Sequence, residues 1–569
     1  MTNEEIKKLK ARLWQTADQL RAGSGLKSTQ YSAPILGLIF LRFADSKYSK
    51  YENEINEEYI KFKGTRSEKE IHEIATIKCG FYLPDNARFD KILNLPEEEN
   101  LALKIKEAMI EIEKYSPDLE GVLPKDEYYT INSSEDKTLL KKLLKNFKDI
   151  PDDISIDIFG EIYEYFLGEF ALSEGQGGGE FFTPSTVVRY MVEVLAPTEG
   201  KILDPACGSG GMFVQTAHYI ANHKYKHGEN SEINLRAYGV EKTSETVKLA
   251  KMNLALNNIR GEIIEANSYY SDPHNSYGAF DYVMANPPFN VDEVELDLVK
   301  SQKRFNEYGV PQNKTKSSKK NRDKTEKVPN ANYLWINQFA TALKPNGRAA
   351  LVMANSASDS GNSEKDVRIK LIESGIISQM VTLPTNMFNT VTLPATLWFF
   401  NKSKPKEDEI LFIDARNIFT VVDRSHRKFS DEQIKNLSII SRLYEGKSDE
   451  FYELLDEYNK KMDCSKDKQY WQENINWLIE RFPDGKYRDI VGLCKVASIE
   501  GEDGIKDQNY SLNPGRYVGV LIEDDGLTEE EFKQELKALN DELNQLNTNA
   551  LELEKRIAIH LSLLVSGDE

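Results

Sequence analysis

The chain has 569 residues, 40% of them apolar and 29% charged, and its formal net charge is −19. That length exceeds what one ordinary core supports, so two or three domains are expected. The composition excludes a disordered or fibrous chain. The acidity argues against a protein that grips nucleic acid alone through a basic surface.

No apolar run approaches the roughly 20 residues of a membrane helix. The best candidate, Ala33 to Ala44, is short and interrupted by Arg42. The N-terminus (MTNEEIKKLK) is charged where a signal peptide would be apolar, so a cytoplasmic protein with no membrane partner is expected. Cys79, Cys207, Cys464 and Cys494 are scattered without CxxC spacing, which speaks against a disulfide framework and a cysteine zinc site. No metal site is expected.

Residues 1–150 read as a helical N-terminal domain. Ile6, Leu9, Leu13, Ala17 and Leu20 share one helical face, with Trp14 beside it as a core or domain-contact aromatic. Ala33 to Ala44 is apolar nearly all round and reads as a buried helix, and Ile71 to Phe81 and Leu101 to Tyr115 continue the helical character. Residues 151–199 form a bridge. It holds a helical stretch from Ile158 to Phe170, a glycine-rich loop over 173–180, the segment Phe181-Phe-Thr-Pro184, and an amphipathic helix from Ser185 to Leu195.

Residues 200–480 read as a catalytic α/β domain. Short apolar runs fall at Lys201–Leu203, Leu235–Val240, Glu262–Glu265, Phe280–Met284, Arg348–Met353, Ile376–Leu383 and Ala395–Phe400. Helices fit between most of them, which implies a largely parallel, doubly wound sheet. The last two runs have no helix between them and predict a hairpin carrying an antiparallel strand at the sheet's end. Residues 303–327 interrupt the rhythm with nine Lys/Arg against three Asp/Glu. They read as a solvated insertion that can also serve as a basic arm on DNA phosphates. The C-terminal region, 481–569, ends in a capping box at Thr528-Glu-Glu-Glu531. Positions 536, 539, 543, 546, 550, 553, 557, 560 and 564 then form a heptad seam, so a coiled-coil helix is expected over 528–565, docking on a partner helix.

Four strand ends carry the chemistry. After the first run comes Asp204-Pro-Ala-Cys-Gly-Ser-Gly-Gly-Met212, where glycines let backbone N–H groups approach a ligand at a helix start. It is not the dinucleotide fingerprint, because Phe213 stands where the third glycine belongs. The second run ends in Glu241, an acid placed to accept from a ribose diol. The third leads to Asn267, a hydrogen-bonding group on the same rim. The fourth ends in Asn286-Pro-Pro-Phe289. Two prolines stiffen that turn, and the Asn286 side-chain and Pro287 backbone carbonyls can accept both hydrogens of an amino group. Accepting both draws the nitrogen lone pair out of conjugation and aims it at an electrophilic methyl. Phe289 offers a stacking face for an extruded base.

With those motifs in order, the chain resembles the DNA-modification (HsdM) subunit of type I restriction–modification systems, an N6-adenine methyltransferase. The resemblance extends to Trp14-Gln-Thr-Ala-Asp-Gln-Leu-Arg21, Leu36-Gly-Leu-Ile-Phe-Leu-Arg-Phe43, Gly179-Glu-Phe-Phe-Thr-Pro-Ser185, Leu383-Pro-Thr-Asn-Met-Phe388 and Asn509-Tyr-Ser-Leu-Asn-Pro-Gly-Arg-Tyr517. It implies a class I S-adenosylmethionine-dependent methyltransferase core, Rossmann-like, with a helical N-terminal domain and a helical C-terminal tail. It implies S-adenosyl-L-methionine contacts at Glu180, Phe181, Phe182, Thr183, Pro184, Ser185, Ser209, Gly210, Gly211 and Glu241, with Asp204 and Gly208 shaping the loop and Asn267 nearby. Asn286, Pro287, Pro288 and Phe289 would hold a flipped adenine. The implied partners are DNA, a specificity subunit shared by two modification subunits, and a restriction subunit in the full complex.

Two other readings compete. The same clamp serves cytosine N4 or a protein glutamine, since the physics of the amine does not separate them. A scaffold without catalysis would need neither an intact glycine loop nor an intact clamp. Cys207 reads as a small loop residue and not a nucleophile, because nothing beside it activates a thiolate.

Overall fold

The computed structural model describes residues 3–22, 28–96, 98–132, 138–151, 162–163, 165–170, 183–226, 234–312, 326–388, 394–423, 426–520 and 529–565. They divide into two compact units, Met1–Gly519 and Val520–Glu569.

The first helix, Asn3–Ala22, buries Ile6, Leu9, Leu13 and Ala17 on the expected face. Trp14 sits half-buried beside them, edge-on to Phe166 and Phe170 with ring centroids 5.4 and 5.0 Å away. The second helix, Ser28–Phe62, is buried without a break from Pro34 to Tyr48. Its polar members in that stretch find partners. Arg42 donates to the Ile150 carbonyl at 2.6 Å, and Asp45 pairs with Arg88. Helices Leu101–Lys114 and Leu139–Lys148 complete a core that also takes in Met252 and Leu256 from beyond residue 200.

Among the described residues, nine of eleven strands form one sheet. The strands are β1 (Gly200–Asp204), β2 (Leu235–Glu241), β3 (Arg260–Glu265), β4 (Phe280–Ala285), β5 (Leu343–Ala354), β6 (Ile377–Thr382), β7 (Ala395–Asn401), β8 (Glu409–Asp414), β9 (Thr420–Val421), β10 (Arg427–Lys428) and β11 (Cys494–Ser498). The order is β3-β2-β1-β4-β5-β7-β6-β8-β11, with β9 and β10 in a separate ribbon. β1 to β5 are mutually parallel, and β7 lies antiparallel between β5 and β6. The antiparallel pair expected from the adjacent sixth and seventh runs is therefore present, but not at the sheet's end, because β8 pairs with β6 and β11 with β8 beyond it. β8 and β11 are strands the sequence patterning did not single out.

The central strands are apolar on both faces, as a sheet covered on both sides requires. In β5, Ala350 and Val352 join one core while Ala349, Leu351 and Met353 join the other. β7 splits likewise, Leu397 and Phe399 against Trp398 and Phe400. Helices Ser185–Leu195, Gly211–Lys226 and Asp431–Tyr444 cover the first face, and Asn332–Ala342 and Asn362–Glu373 the second. The Asn509–Tyr517 segment is an anchor for the sheet edge. Tyr517 stacks on Phe412 of β8 with centroids 3.9 Å apart, and buried Arg368 donates to the Tyr510 carbonyl at 2.8 Å.

The basic stretch is not solvated from its start. Lys303–Asn306 is a short helix that buries Arg304 and Phe305. Apolar Phe305 and Val310 anchor this portion into the sheet's second core, and the lysine-rich remainder, 313–325, lies outside the described residues. In the second unit, Glu529–Val565 is one continuous helix. Its seam residues Leu536, Leu539, Leu543, Leu546, Leu553 and Ile557 are 50–58% exposed.

Candidate active site

Parallel strands end on one rim of the sheet, and ligands of open α/β folds bind where the strand order reverses. Here that point lies between β1 and β4, which carry Asp204 and Asn286 at or just beyond their ends. One cavity of about 150 Å³ is lined by Asp204, Cys207, Gly208, Ser209 and Gly211 from the loop, by Thr183, and by Asn286.

The loop is fixed by its own backbone. Cys207 N–H donates to the Val240 carbonyl at 3.0 Å, and Gly210 N–H to the Cys207 carbonyl at 2.8 Å. Gly208 and Gly210 sit at φ 50° and 82°, where a side chain would be strained. A Cβ on Gly210 would also press on Leu254 at 3.2 Å. The buried Asp204 accepts from Ala206 N–H at 2.9 Å. Burial pushes its carboxyl well above the ordinary range; the Ala206 bond pulls it down, and the neighbouring Glu241 charge adds to the rise.

Glu241 closes the loop from β2. Its Oε2 accepts from Gly208 N–H at 3.1 Å, and its Oε1 from Lys242 and Thr243 N–H at 2.7 and 3.0 Å. A carboxylate has about four acceptor sites, so this leaves capacity for a hydroxyl. Asn267 lies past the end of β3, outside the cavity lining, and its Oδ1 accepts from Tyr269 N–H at 3.0 Å.

The Asn286 turn is the most constrained part of the rim. Asn286 Nδ2 donates to Thr183 Oγ1 at 3.0 Å, which orients the amide. Its Oδ1 is buried and finds no donor among the described residues. An orphaned buried carbonyl oxygen costs about 1–3 kcal/mol, and this one is an acceptor available to a donor. Pro287 is buried, and Phe289 is half-buried between the two sheet cores. The turn is locked at Asn290, whose φ is 56°. Asn290 N–H donates to Asn332 Oδ1 at 2.8 Å, and Asn290 Oδ1 accepts from Asn332 Nδ2 at 3.0 Å and Asn330 Nδ2 at 3.1 Å. This asparagine lock escaped the sequence reading; Asn-Ala-Asn just ahead of a helix was its only trace.

Pro184 caps the Ser185–Leu195 helix, and Ser185 begins it. Glu180, Phe181 and Phe182 lie outside the described residues. Cys207 is buried, and burial, with the Asp204 and Glu241 charges, pushes its thiol well above the ordinary range. That environment does not make a nucleophile.

Sheet order and rim chemistry together define a class I S-adenosylmethionine-dependent methyltransferase fold. A model of the N-6 DNA methylase family matches residues 154–525, and one of the HsdM N-terminal domain matches residues 9–147. The chain belongs to the N-6 DNA methylase family and is a DNA adenine methyltransferase. It is 33% identical over 567 residues to the type I restriction enzyme MjaIX methylase subunit of Methanocaldococcus jannaschii, covering 95% of this chain and 90% of that one. It is 32% identical over 505 residues to the HindI methylase subunit of Haemophilus influenzae, covering 86% and 97%. The fold is shared with the crystal structure of a type I restriction-modification methyltransferase subunit from Streptococcus thermophilus, at TM-score 0.65 and 19% identity, over 91% of this chain and 100% of that one. Among the described residues no helix is long and apolar enough to cross a membrane.

Proposed function

We propose that the chain methylates N6 of a flipped adenine, using S-adenosyl-L-methionine, as the modification subunit of a type I restriction–modification complex. The observation that carries the reading is the buried Oδ1 of Asn286, without a donor among the described residues, on a residue that lines the same cavity as the glycine loop. The cofactor supplies a methyl group on a sulfonium, a strong electrophile that needs no covalent protein intermediate.

The chain's own residues supply position and polarity. Gly208, Ser209, Gly210 and Gly211 present backbone at the start of a helix, and the cavity-lining Gly208 and Gly211 put no side chain in the way of the cofactor's methionine part. Glu241 receives the ribose, and Asn267 stands toward the base. Glu180, Phe181, Phe182, Thr183, Pro184 and Ser185 contact the cofactor. At the target, Asn286 Oδ1 and the Pro287 carbonyl accept the two amine hydrogens, and Pro288 keeps the turn rigid. Phe289 stacks on the base, an interaction worth about 1–3 kcal/mol.

DNA sequence recognition belongs to a specificity subunit bound by two copies of this chain, with a restriction subunit joining for cleavage. The exposed seam of the Glu529–Val565 helix is the docking element for the specificity subunit. The test is co-expression with the neighbouring gene products, followed by sequencing of modified bases in host DNA. N6-methyladenine at one recurring motif, absent with Asn286→Ala, is expected. N4-methylcytosine, or unchanged methylation by the variant, would overturn the reading.

A further inference from the structure

The cavity at the glycine loop has a wall that no part of the sheet provides. It consists of Ser32 and Leu36 from the helix Ser28–Phe62, with Leu167 and Phe170 from the helical residues 165–170. Ser32 and Leu36 are four residues apart, and Leu167 and Phe170 three apart, so each pair occupies one helix face. We propose that these four residues are part of the cofactor site and close the methionine end of S-adenosylmethionine, an inference that rests on the cofactor reading above.

The position of the wall decides which end it covers. The same cavity is lined by Asp204, Ser209, Gly211, Met212 and Asn286, the loop that turns around the amino-acid portion and the residue that meets the transferred methyl. Glu241 and Asn267, on the ribose and base side, are not in its lining. Leu36, Leu167 and Phe170 are buried. Three such apolar groups shed water around the aliphatic chain and the sulfonium, and the Ser32 hydroxyl is the polar group of the wall.

The wall is held in register with the loop. Helix Ser244–Leu256 places Met252 and Leu256 in the N-terminal core, and Val247, Ala250 and Leu254 in the sheet core. Its Asn253 Nδ2 donates to the Ser209 carbonyl at 2.9 Å, and its Leu256 carbonyl accepts from buried Lys47 at 3.5 Å. Lys47 lies on the same helix as Ser32 and Leu36. One helix therefore ties the glycine loop to the segment opposite it. Linkage then makes the relation reciprocal: cofactor binding stabilises the docking of the N-terminal helices, and their docking raises cofactor affinity.

The experiment uses the full chain and S-adenosylmethionine itself. Calorimetric titration of wild type, Ser32→Trp and Glu57→Trp is compared, the last being an exposed position on the same helix. Ser32→Trp should weaken binding at least tenfold with an unchanged melting temperature in the absence of cofactor, and Glu57→Trp should bind as wild type does. Hydrogen exchange of the wild type, which needs no variant, should slow over residues 28–40 when cofactor is added. Tight binding by wild type and Ser32→Trp alike, with no slowing over 28–40, overturns the wall and leaves the cofactor reading standing. A wild-type chain that binds no S-adenosylmethionine overturns both.

Discussion

Replacing Thr183 with valine removes the hydroxyl that receives Asn286 Nδ2 at 3.0 Å and leaves the volume nearly unchanged. The buried amide can then rotate, and Asn286 Oδ1 is no longer held as an acceptor. A neutral hydrogen bond contributes about 1 kcal/mol net, so kcat should fall roughly fivefold. On the proposed mechanism Asn286→Ala removes an acceptor used in the transition state, for which about 10²–10³ in kcat is the scale of comparable groups. Because Thr183 acts through Asn286, the two effects should not add. Thr183→Val placed in Asn286→Ala should cost nothing further, which corresponds to a coupling of about 1 kcal/mol. Single-turnover methyl incorporation into DNA by the assembled complex, at saturating cofactor, is the assay. A role limited to cofactor contact would raise the cofactor's KM and spare kcat, and Thr183→Ser should restore the wild-type rate. Wild-type kcat in Thr183→Val, or additive losses in the double variant, would refute the reasoning.

Lys47 is buried, and burial lowers its pKa from 10.5 to about 8. The folded state then binds fewer protons than the unfolded one between those values, so this group's penalty, about 3 kcal/mol, is full below pH 8 and fades as pH rises toward 10.5. Lys47→Met should therefore gain stability over wild type at pH 7 and lose that advantage by pH 10 in urea unfolding; a difference independent of pH would contradict it. Cys464 is exposed while Cys79, Cys207 and Cys494 are buried, with Cys494 pushed up to about 12. Iodoacetamide at pH 8 should label Cys464 alone in the native protein, and Cys207→Ser should retain methylation; peptide mapping that finds Cys207 labelled first would refute a buried thiol. Deleting residues 528–569 should abolish co-purification with the specificity subunit, and an intact complex would remove the tail from that role.

The first four strands were legible because each ends in chemical punctuation: Asp204-Pro, Glu241 before a helix, Asn267, and Asn286-Pro-Pro. Side chains that act at strand ends in the same chain order give a local signal. β8 carries only four consecutive apolar residues, Ile410 to Ile413, and becomes a strand through pairing with β6 and β11, both distant in sequence. β11 pairs with β8 alone and is half-buried, so its alternation is weak. The cavity wall was illegible for a different reason. Leu36 sits among fully buried leucines and isoleucines of the same helix, and a leucine that faces a ligand carries the same letter as one that faces a core. Asn290 and Asn332 are linked across forty-two residues by four-atom amides, a contact no periodicity encodes.

Charge placement bears on how such an acidic chain handles DNA. Residues 501–569 hold sixteen acids and six bases, which accounts for much of the excess, whereas residues 303–327 hold nine bases and three acids. The described beginning of that basic stretch is spent on the fold. The Arg304 guanidinium is buried and donates to the Tyr269 carbonyl and Gln302 Oε1, and the Lys303 ammonium lies 4.0 Å from the Tyr277 ring centre. Each phosphate neutralised by a protein cation releases nearly one counterion, so grip scales with cations held out to the backbone. With a net charge of −19, the proposed function therefore expects this subunit to bind DNA weakly alone and a partner to supply most of the grip on the duplex.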